Sequence, residues 1–470
     1  MKKAALLIIA SFICVFAFAG PKVGFQIKVK INGLKDTTLL LGHHFGEKKL
    51  VVDTTRINSK GVAVFQADTL LKGGVYLIVL PGMSYFEVLV TGDQRFSVET
   101  DKDDLLNKMR FTNSPENETY LNYQKYMGKV SEKGKVLQAK IKATQNTDSI
   151  TLLKNELKSL NLEVKAESRK LIEANQGTFV ASILKTMQYP ELPNWNIPEG
   201  APGRDSLIWV KNYQFYKNHF WDNVDFSDAR LLRTPAIESL LKQYFNNILL
   251  QIPDSINQAA DMVLAKAKLN NEMFQFIVSF LHNEFGQSNI MGMDAVFVHL
   301  ANNYYLKGQT PWVDQAFLDK VKDRVRKMEP NLLGKVAPEM IMMTSDGTVE
   351  SLRLLQAEYT IVVFWETDCG HCQKVIPELW KLYQKYEKQN VKVFAVYTQY
   401  DKDKWTTYIN EHKLFWINVY DSEHNSNFRS AYDIYSTPTI YLLDKDKKII
   451  AKRLSTESLD DFLGKLLSKK

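Results

Sequence analysis

Cysteine is scarce in this sequence, with three among 470 residues, and the body of the chain also lacks a basic block and a long apolar run. So few cysteines exclude a scaffold held together by several disulfides. The 60 basic and 53 acidic side chains are mixed along the whole length, so affinity for nucleic acid is not indicated. What is present is ordinary globular composition, and the length predicts roughly three domains.

The first 19 residues have the pattern of a secretory signal peptide. Two lysines precede an apolar run over residues 4–18, and Ala19 completes a small-x-small cleavage site. We predict cleavage after Ala19, because the run is shorter than the roughly 20 residues of a spanning helix. Lipidation of Cys14 is disfavoured because Ile13 precedes it instead of a small residue. The mature protein is therefore expected in the periplasm or cell envelope.

Loss of the signal peptide removes Cys14 and leaves Cys369 and Cys372, which are separated by two residues. The loop between them is too short to constrain the fold much, so the pair indicates chemistry rather than scaffolding. A zinc site is the weaker interpretation, because a second pair of ligands at fixed spacing is missing. No metal is expected.

Residues 20–112 alternate apolar and polar side chains in short runs between turn signals, which predicts a small antiparallel β-sandwich. The predicted strands are residues 25–31, 38–41, 62–65, 75–80, 85–90 and 96–98. His43 and His44 are adjacent, so their side chains point to opposite faces of a strand and do not suggest a metal site.

Residues 113–329 change to helical periodicity and predict an α-helical middle domain, interrupted by prolines between residues 190 and 202. Its first part, residues 120–175, is rich in Lys, Glu and Gln with Leu and Ile at helical spacing. This pattern predicts a long helical hairpin with much solvated surface.

Aromatic side chains are frequent in residues 206–221, where a core helix is favoured over a ligand-binding cluster. His282, Glu284 and His299 could bind a metal if the fold brought them together. Their spacing does not require this, so they are weak candidates.

Residues 330–470 alternate strand and helix signals and predict a small α/β domain with a mixed sheet. The predicted strands are residues 360–365, 391–397, 439–443 and 449–452, and the predicted helices are residues 372–388, 402–412 and 458–467. The whole chain is thus expected to be multidomain, with a β-sandwich, a helical domain and an α/β domain in that order.

The two cysteines follow a buried strand that ends at Trp365 and open the next helix. Cys369 would lie at the helix N-terminus, where unpaired N–H groups and the helix dipole stabilise a thiolate. We therefore predict that Cys369 attacks a disulfide and that the more buried Cys372 resolves the mixed disulfide. Protonated His371 would favour the reduced pair and make the couple more oxidising.

The C-terminal third resembles the thioredoxin fold, specifically the exported TlpA/ResA-like thiol-disulfide oxidoreductases, and its Cys-Gly-His-Cys tetrad resembles that of protein disulfide isomerases. The matching positions are Gly334, Ala337 and Pro338 in the opening motif, residues 345–347 in the turn of an extra hairpin, Phe364 and Trp365 before the cysteines, Pro377 in the helix, and Thr437, Pro438 and Thr439. The match covers about residues 332–470.

This resemblance implies that Pro438 is a cis-proline facing the cysteines and that Thr437 lies beside a bound substrate segment. Trp365 is expected to contribute to substrate binding as well. The implied partners are client proteins with thiols or disulfides and a membrane thiol-disulfide electron donor, and no cofactor is implied.

The chain departs from classical thioredoxins two residues before the tryptophan, where Val363 replaces a buried acid. Glu366 is the nearest substitute as proton acceptor for the buried cysteine, although a solvent-facing loop carboxylate is an equal alternative. Asp368, directly before Cys369, is a weaker candidate and would oppose thiolate formation.

Two other functions are open. A peroxiredoxin-type thiol peroxidase shares the Ala-Pro opening motif, but Val362 and Glu366 occupy the Pro and Thr places of its cysteine frame. A non-catalytic protein could use the dithiol as a soft Cu(I) ligand or to bind clients.

The first two domains resemble uncharacterised modules found ahead of thioredoxin domains in exported bacterial proteins. No chemistry comes with that resemblance. Residues 20–330 are expected to position the redox domain or to recognise a client.

Overall fold

The computed structural model describes residues 24–468, so the predicted signal peptide lies outside the described residues. The chain divides into two compact units, one up to Gln243 and the other from Tyr244. The predicted fold class is confirmed, with strand-rich sheets first, helices next and an α/β domain last. The domain boundaries after residues 112 and 329 stay predictions.

The first unit begins with a β-sandwich of two four-stranded sheets, ordered β4-β1-β7-β8 and β3-β2-β5-β6. Its strands are β1 (Phe25–Asn32), β2 (Thr37–Phe45), β3 (Lys48–Ile57), β4 (Val62–Ala67), β5 (Gly74–Val79), β6 (Tyr85–Val90), β7 (Arg95–Asp101) and β8 (Arg110–Thr112). Alternation along β1 buries Ile27 and Val29, which share one core with Leu39 and Leu41 of β2.

Two features of the sandwich differ from the prediction. β3 is absent from the predicted strands, because the apolar Leu50, Val51 and Val52 are exposed at the sheet edge and break the alternation. β1 and β7 pair in parallel, with Ile27 opposite Phe96, so the sandwich is not wholly antiparallel. Alternation cannot reveal strand direction, because side chains alternate with the same period in both kinds of pair.

The helices of the first unit are α1 (Pro115–Ala143), α2 (Thr147–Ala174), α3 (Phe179–Thr186), α4 (Arg204–His219) and α5 (Ala236–Lys242), with a 3-10 turn at Ala229–Arg233. α1 and α2 form the predicted hairpin, and few of their side chains are buried. Pro115 occupies the first turn of α1, and the Asn146 side chain caps α2 by accepting from the Ser149 N–H at 2.8 Å.

The exposure of α4 shows that the prediction of a core helix over residues 206–221 is wrong. None of its residues is buried, and Trp209 is 56% exposed and stacks on Tyr213 with ring centroids 5.7 Å apart. Only Phe220 and Trp221, which follow the helix, enter the core. The aromatic side chains of α4 contact one another, so a high aromatic content does not by itself indicate burial.

A π-helical turn at Gln243–Ile248 spans the start of the second unit. The helices that follow are α6 (Pro253–Ala267), α7 (Asn271–Gly286), α8 (Asp294–Leu300) and α9 (Gln315–Met328), with a further π-helical turn at Ala301–Tyr305 and a 3-10 turn at Glu329–Asn331. The three weak metal-ligand candidates have different surroundings here. His282 lies among aromatic rings, His299 Nε2 lies 2.9 Å from Asp261 Oδ1, and Glu284 accepts a hydrogen bond from Asn246.

The unit ends in a seven-stranded sheet ordered β10-β9-β13-β12-β11-β14-β15. Its elements are β9 (Ile341–Met343), β10 (Val349–Ser351), β11 (Tyr359–Trp365), α10 (Cys372–Tyr386), β12 (Val391–Tyr397), α11 (Lys402–His412), β13 (Ile417–Tyr420), α12 (Phe428–Ala431), β14 (Thr439–Leu443), β15 (Ile449–Lys452) and α13 (Thr456–Leu467), with a 3-10 turn at Glu387–Gln389. β11 pairs in parallel with β12 and antiparallel with β14, which confirms the predicted mixed sheet. Separate apolar cores cover its two faces.

Polar contacts join the helices of the second unit to this sheet. Lys452 of β15 is 6% exposed, and its ammonium group donates to the Asp294 carboxylate and, at 2.5 Å, to the Asn331 carbonyl. The Asn331 amide donates to the Ala431 carbonyl at 2.6 Å. Burial lowers the pKa of Lys452, and the Asp294 carboxylate opposes that shift. A buried ion pair therefore lies between α8 and the sheet.

Candidate active site

The candidate site lies at the end of β11 and the beginning of α10. All seven residues of β11 are buried, so the strand fixes where the following turn starts. Buried side chains of α10, among them Ile376 and Leu379, hold that helix against the sheet, and Pro377 lies within it. Residues 366–371 therefore form a short turn between β11 and α10, and this turn places Cys369 at the surface.

Cys369 is partly exposed and surrounded by hydrogen-bonding groups. Its Sγ lies 3.2 Å from the backbone nitrogen of Cys372 and 3.4 Å from the carbonyl oxygen of Thr437. Burial alone would raise the pKa of Cys369, but hydrogen bonds from Cys372, Thr437 and the His371 backbone outweigh it and lower the pKa. This is the behaviour predicted for an attacking thiol at a helix N-terminus.

Cys372 has the opposite environment. It is 1% exposed and belongs to the apolar core that also contains Trp365. Burial is the main cause that raises the pKa of Cys372 from 9.0 to about 12. The neighbouring Cys369 contributes to this rise, and a backbone hydrogen bond from Glu366 partly opposes it. Both cysteines in the described part of the chain are free thiols.

The segment before β14 completes the site. The peptide bond between Thr437 and Pro438 is cis, as the resemblance implied for Pro438, and the Thr437 carbonyl faces Cys369. The Thr437 hydroxyl donates to Glu366 Oε1 at 2.6 Å, and the second Glu366 oxygen accepts from the Gln399 amide. Glu366 is half-buried, so it is not a freely solvated loop carboxylate, and its carboxylate links the turn to the cis-proline segment.

His371 and Asp368 lie at the exposed mouth of the site. The His371 side chain is exposed, and its carbonyl accepts the Val375 N–H at 3.0 Å in the first turn of α10. Asp368 forms an ion pair with Lys404 of α11 at 3.1 Å. The Lys404 ammonium therefore offsets the negative charge that Asp368 would otherwise direct at Cys369.

The burial of Trp365 contradicts the prediction that it contributes to substrate binding. It is fully buried, with its ring centroid 5.3 Å from that of Tyr408 and 5.9 Å from that of Tyr397. A side chain with no accessible surface cannot touch a bound client. Trp365 therefore acts as a core residue that packs beneath the site. Two residues that were not predicted also contact the site: Gln399 donates to Glu366, and Lys404 pairs with Asp368. Neither residue belongs to a local sequence motif, so neither could be identified from the sequence.

Within residues 24–468, no group of three or more His, Cys, Asp or Glu side chains is placed to hold a metal ion. Over the same stretch, no helix combines the length and the apolar character needed to cross a bilayer.

Three segments of the chain match known families. Residues 333–452 match the AhpC/TSA family, residues 180–331 match DUF5106 and residues 25–120 match DUF4369, the last two being domains of unknown function. The AhpC/TSA match contains both cysteines and the cis-proline. The DUF5106 match ends at residue 331 and includes α6 to α9.

Relatives named as thiol-disulfide oxidoreductases align with the C-terminal part. Thiol-disulfide oxidoreductase ResA of Bacillus anthracis is 26% identical over 137 residues, which are 28% of this chain and 78% of the relative. ResA of Geobacillus thermodenitrificans is 27% identical over 134 residues, covering 28% of this chain and 76% of the relative.

Solved structures are similar over different lengths. A domain of a possible thiol-disulfide isomerase from Cytophaga hutchinsonii is 43% identical, covers 30% of this chain and 97% of its own, and has a TM-score of 0.28. A thioredoxin-like protein from Bacteroides caccae is 21% identical, covers 59% of this chain and 97% of its own, and has a TM-score of 0.47.

Proposed function

We propose that this chain, whose C-terminal domain belongs to the thioredoxin-like AhpC/TSA family, is a thiol-disulfide oxidoreductase that acts through Cys369 and Cys372. The observation that carries the proposal is the contrast between the two thiols, one partly exposed with a lowered pKa and one buried with a raised pKa. Disulfide exchange needs one thiol that ionises readily to attack and a second, protected thiol to resolve.

In the reducing direction, the Cys369 thiolate attacks one sulfur of a client disulfide. A bond forms between Cys369 and that sulfur, the client S–S bond breaks, and the other client sulfur leaves as a thiolate that takes up a proton. Cys372 then gives up its proton and attacks Cys369 Sγ, which releases the second client thiol. The client gains two electrons and two protons, and Cys369 and Cys372 become a disulfide.

The second step requires a group that accepts the proton of Cys372, because a thiol with a pKa of about 12 is almost wholly protonated at neutral pH. We assign this role to Glu366, because Val363 occupies the position at which classical thioredoxins carry a buried acid. Two contacts support the assignment: the Glu366 backbone donates to Cys372, and its half-buried carboxylate holds the Thr437 hydroxyl at 2.6 Å.

The exposed His371 is proposed to favour the Cys369 thiolate when it is protonated, which would make the couple more oxidising. Thr437 and Pro438 are proposed to contact the client segment, since the Thr437 carbonyl lies beside Cys369 and a cis peptide bond joins Thr437 to Pro438. Isomerase and reductase activities use the same steps, so the reduction potential decides between them.

We extend the proposal to the cell envelope, where client proteins with disulfides and a membrane thiol-disulfide electron donor would be the partners. The signal-like pattern of residues 1–19 supports this location. N-terminal sequencing of the protein recovered from the periplasm of a Gram-negative host tests it. The expected sequence starts at Gly20, and an unprocessed cytoplasmic protein would contradict the location.

The enzymatic proposal is tested by reduction of insulin disulfides with dithiothreitol as the dithiol reductant. The wild-type protein should accelerate reduction, and Cys369→Ser should remove the acceleration. Cys372→Ser, reduced beforehand and freed of dithiothreitol, should instead accumulate a mixed disulfide with insulin, because no resolving thiol is present. The same preparations are assayed for hydrogen peroxide consumption, and a protein that consumes peroxide but leaves insulin intact is a peroxidase.

The direction is tested by equilibrating the Cys369–Cys372 couple with glutathione and dithiothreitol buffers. A potential of about −120 to −180 mV identifies an oxidant or isomerase, whereas one below about −230 mV identifies a reductase that needs an electron donor.

A further inference from the structure

Residues 433–438 form the segment that faces the reactive thiol. Thr437, near its end, places its carbonyl oxygen 3.4 Å from Cys369 Sγ and its hydroxyl 2.6 Å from Glu366 Oε1. A displacement of this segment would change both contacts at once. The position of the segment therefore sets the surroundings of Cys369.

The segment begins at Asp433, which carries a buried carboxylate. The side chain is 4% exposed, and its φ of 53° lies in the left-handed region. A buried carboxylate must be paired and hydrogen-bonded, because removing its charge from water is unfavourable. Arg324 Nη1 lies 2.6 Å from one oxygen, and Arg453 Nη2 lies 3.3 Å from the other.

Arg324 also contacts the middle of the segment. It donates to the Tyr435 hydroxyl, and its guanidinium carbon lies 4.7 Å from the centroid of the Tyr435 ring. Tyr435 is 64% exposed, so packing in a core does not fix its position. The hydrogen bond and the cation–π contact with one guanidinium group hold residues 433 and 435 together.

Arg324 lies outside the α/β domain, on α9, within the region that matches DUF5106. The chain just after α9 is fixed to the sheet, because Asn331 donates to the Ala431 carbonyl at 2.6 Å and accepts from Lys452 at 2.5 Å. Arg324 itself is only 29% exposed. It is therefore a side chain on an anchored helix and not a mobile surface group.

We propose that Arg324 is a positioning residue for the Cys369–Cys372 site. By holding Asp433 and Tyr435, it keeps Thr437 at its place beside Cys369 and so connects the helical domain to thiol reactivity. This inference rests on the proposed function, because it names a residue that tunes the same exchange reaction.

The test compares Arg324→Ala and Arg324→Lys with Arg326→Ala in the full-length protein. Arg326 is a matched control, since it lies on the same helix, is 68% exposed and pairs with Asp323 one turn away at 2.7 Å. Two quantities are measured: kcat/KM for insulin reduction, and the pH dependence of Cys369 alkylation by iodoacetamide.

Arg324→Ala should lower kcat/KM about tenfold and move the midpoint of the alkylation profile, because small misplacements of reacting groups have large effects on rate. Arg326→Ala should leave both quantities within about twofold of wild type. Arg324→Lys should lose less activity than Arg324→Ala, since an ammonium group can pair with Asp433. It lacks the planar guanidinium group that contacts Asp433 and Tyr435 together.

Identical kinetics and identical alkylation profiles for Arg324→Ala and Arg326→Ala would overturn the inference. If the wild-type protein does not reduce insulin, the proposed function fails, and the alkylation profile alone then decides about Arg324. If Arg324→Ala does not fold, Tyr435→Leu replaces it, because that side chain is exposed. A Tyr435→Leu profile equal to wild type would then refute the inference.

Discussion

The two thiols of the reduced protein should differ greatly in their rate of alkylation at pH 7. A pKa of about 12 leaves only about one Cys372 thiol in 10⁵ ionised at that pH. The pKa of Cys369 is below 9.0, so more than about one Cys369 thiol in 100 is ionised. The thiolate fraction therefore favours Cys369 by at least about a thousandfold.

Part of this advantage is lost, because thiolates of lower pKa are weaker nucleophiles. With a Brønsted slope of about 0.4–0.5, the pKa difference between 9 and 12 makes the Cys372 thiolate up to about thirty times more nucleophilic than the Cys369 thiolate. The net preference for Cys369 is then at least about thirtyfold. Burial adds to it, since Cys372 is 1% exposed and a reagent cannot reach its sulfur without local opening.

The assay measures iodoacetamide alkylation by mass spectrometry in two variants, both on a Cys14→Ser background. Cys372→Ser retains the attacking thiol, and Cys369→Ser retains the resolving thiol. In guanidinium chloride the two variants should react at equal rates, which serves as the control. Equal rates in the folded state would refute the assignment of the two roles.

Three further predictions follow from the same unit. Asp294→Ala should lower the free energy of unfolding by about 3 kcal/mol in urea titrations, because it leaves the buried Lys452 ammonium without its charged partner. Asp294→Leu with Lys452→Met should recover most of the loss. The folded-state pKa of Cys372 exceeds its ordinary value of 9.0, so its contribution to stability is complete below pH 9 and is lost as the pH rises toward about 12. Buried tyrosines such as Tyr76 and Tyr383 have raised pKa values in both redox states, so thermal unfolding should show a steeper decline above pH 9 in the reduced protein than in the oxidised protein. Glu366→Gln can still accept from Thr437 but has no charge, so release of the second client thiol should slow at least about tenfold in rapid-quench experiments while the first attack is unchanged.

Much of the α/β domain could be predicted from the sequence. The strands predicted over residues 391–397, 439–443 and 449–452 coincide with β12, β14 and β15, because buried strands are continuous apolar runs between turn residues. β13 is missing from the prediction. It has four residues, and Asn418 interrupts its apolar run, although the Asn418 amide is buried and donates to the Leu414 carbonyl at 2.7 Å.

The reactive pair was accessible to sequence reasoning for a similar reason, since Cys369 and Cys372 lie in one local motif. The supporting residues were not, because their contacts cross long stretches of chain. Lys404 lies 36 residues from Asp368, and Arg324 lies 109 residues from Asp433. Burial is also a property of the folded molecule, so the exposure of α4 could not be derived from its composition.

The ion pair between Lys452 and Asp294 limits how this architecture can be recombined. A fragment cut at residue 330, or a chimera that takes only the α/β domain from a relative, separates the two charges. A cut before Tyr244 retains the pair together with the contact between Arg324 and Asp433. Chimeras should therefore be joined ahead of α6, so that the redox domain keeps the charged partners that it has in this chain.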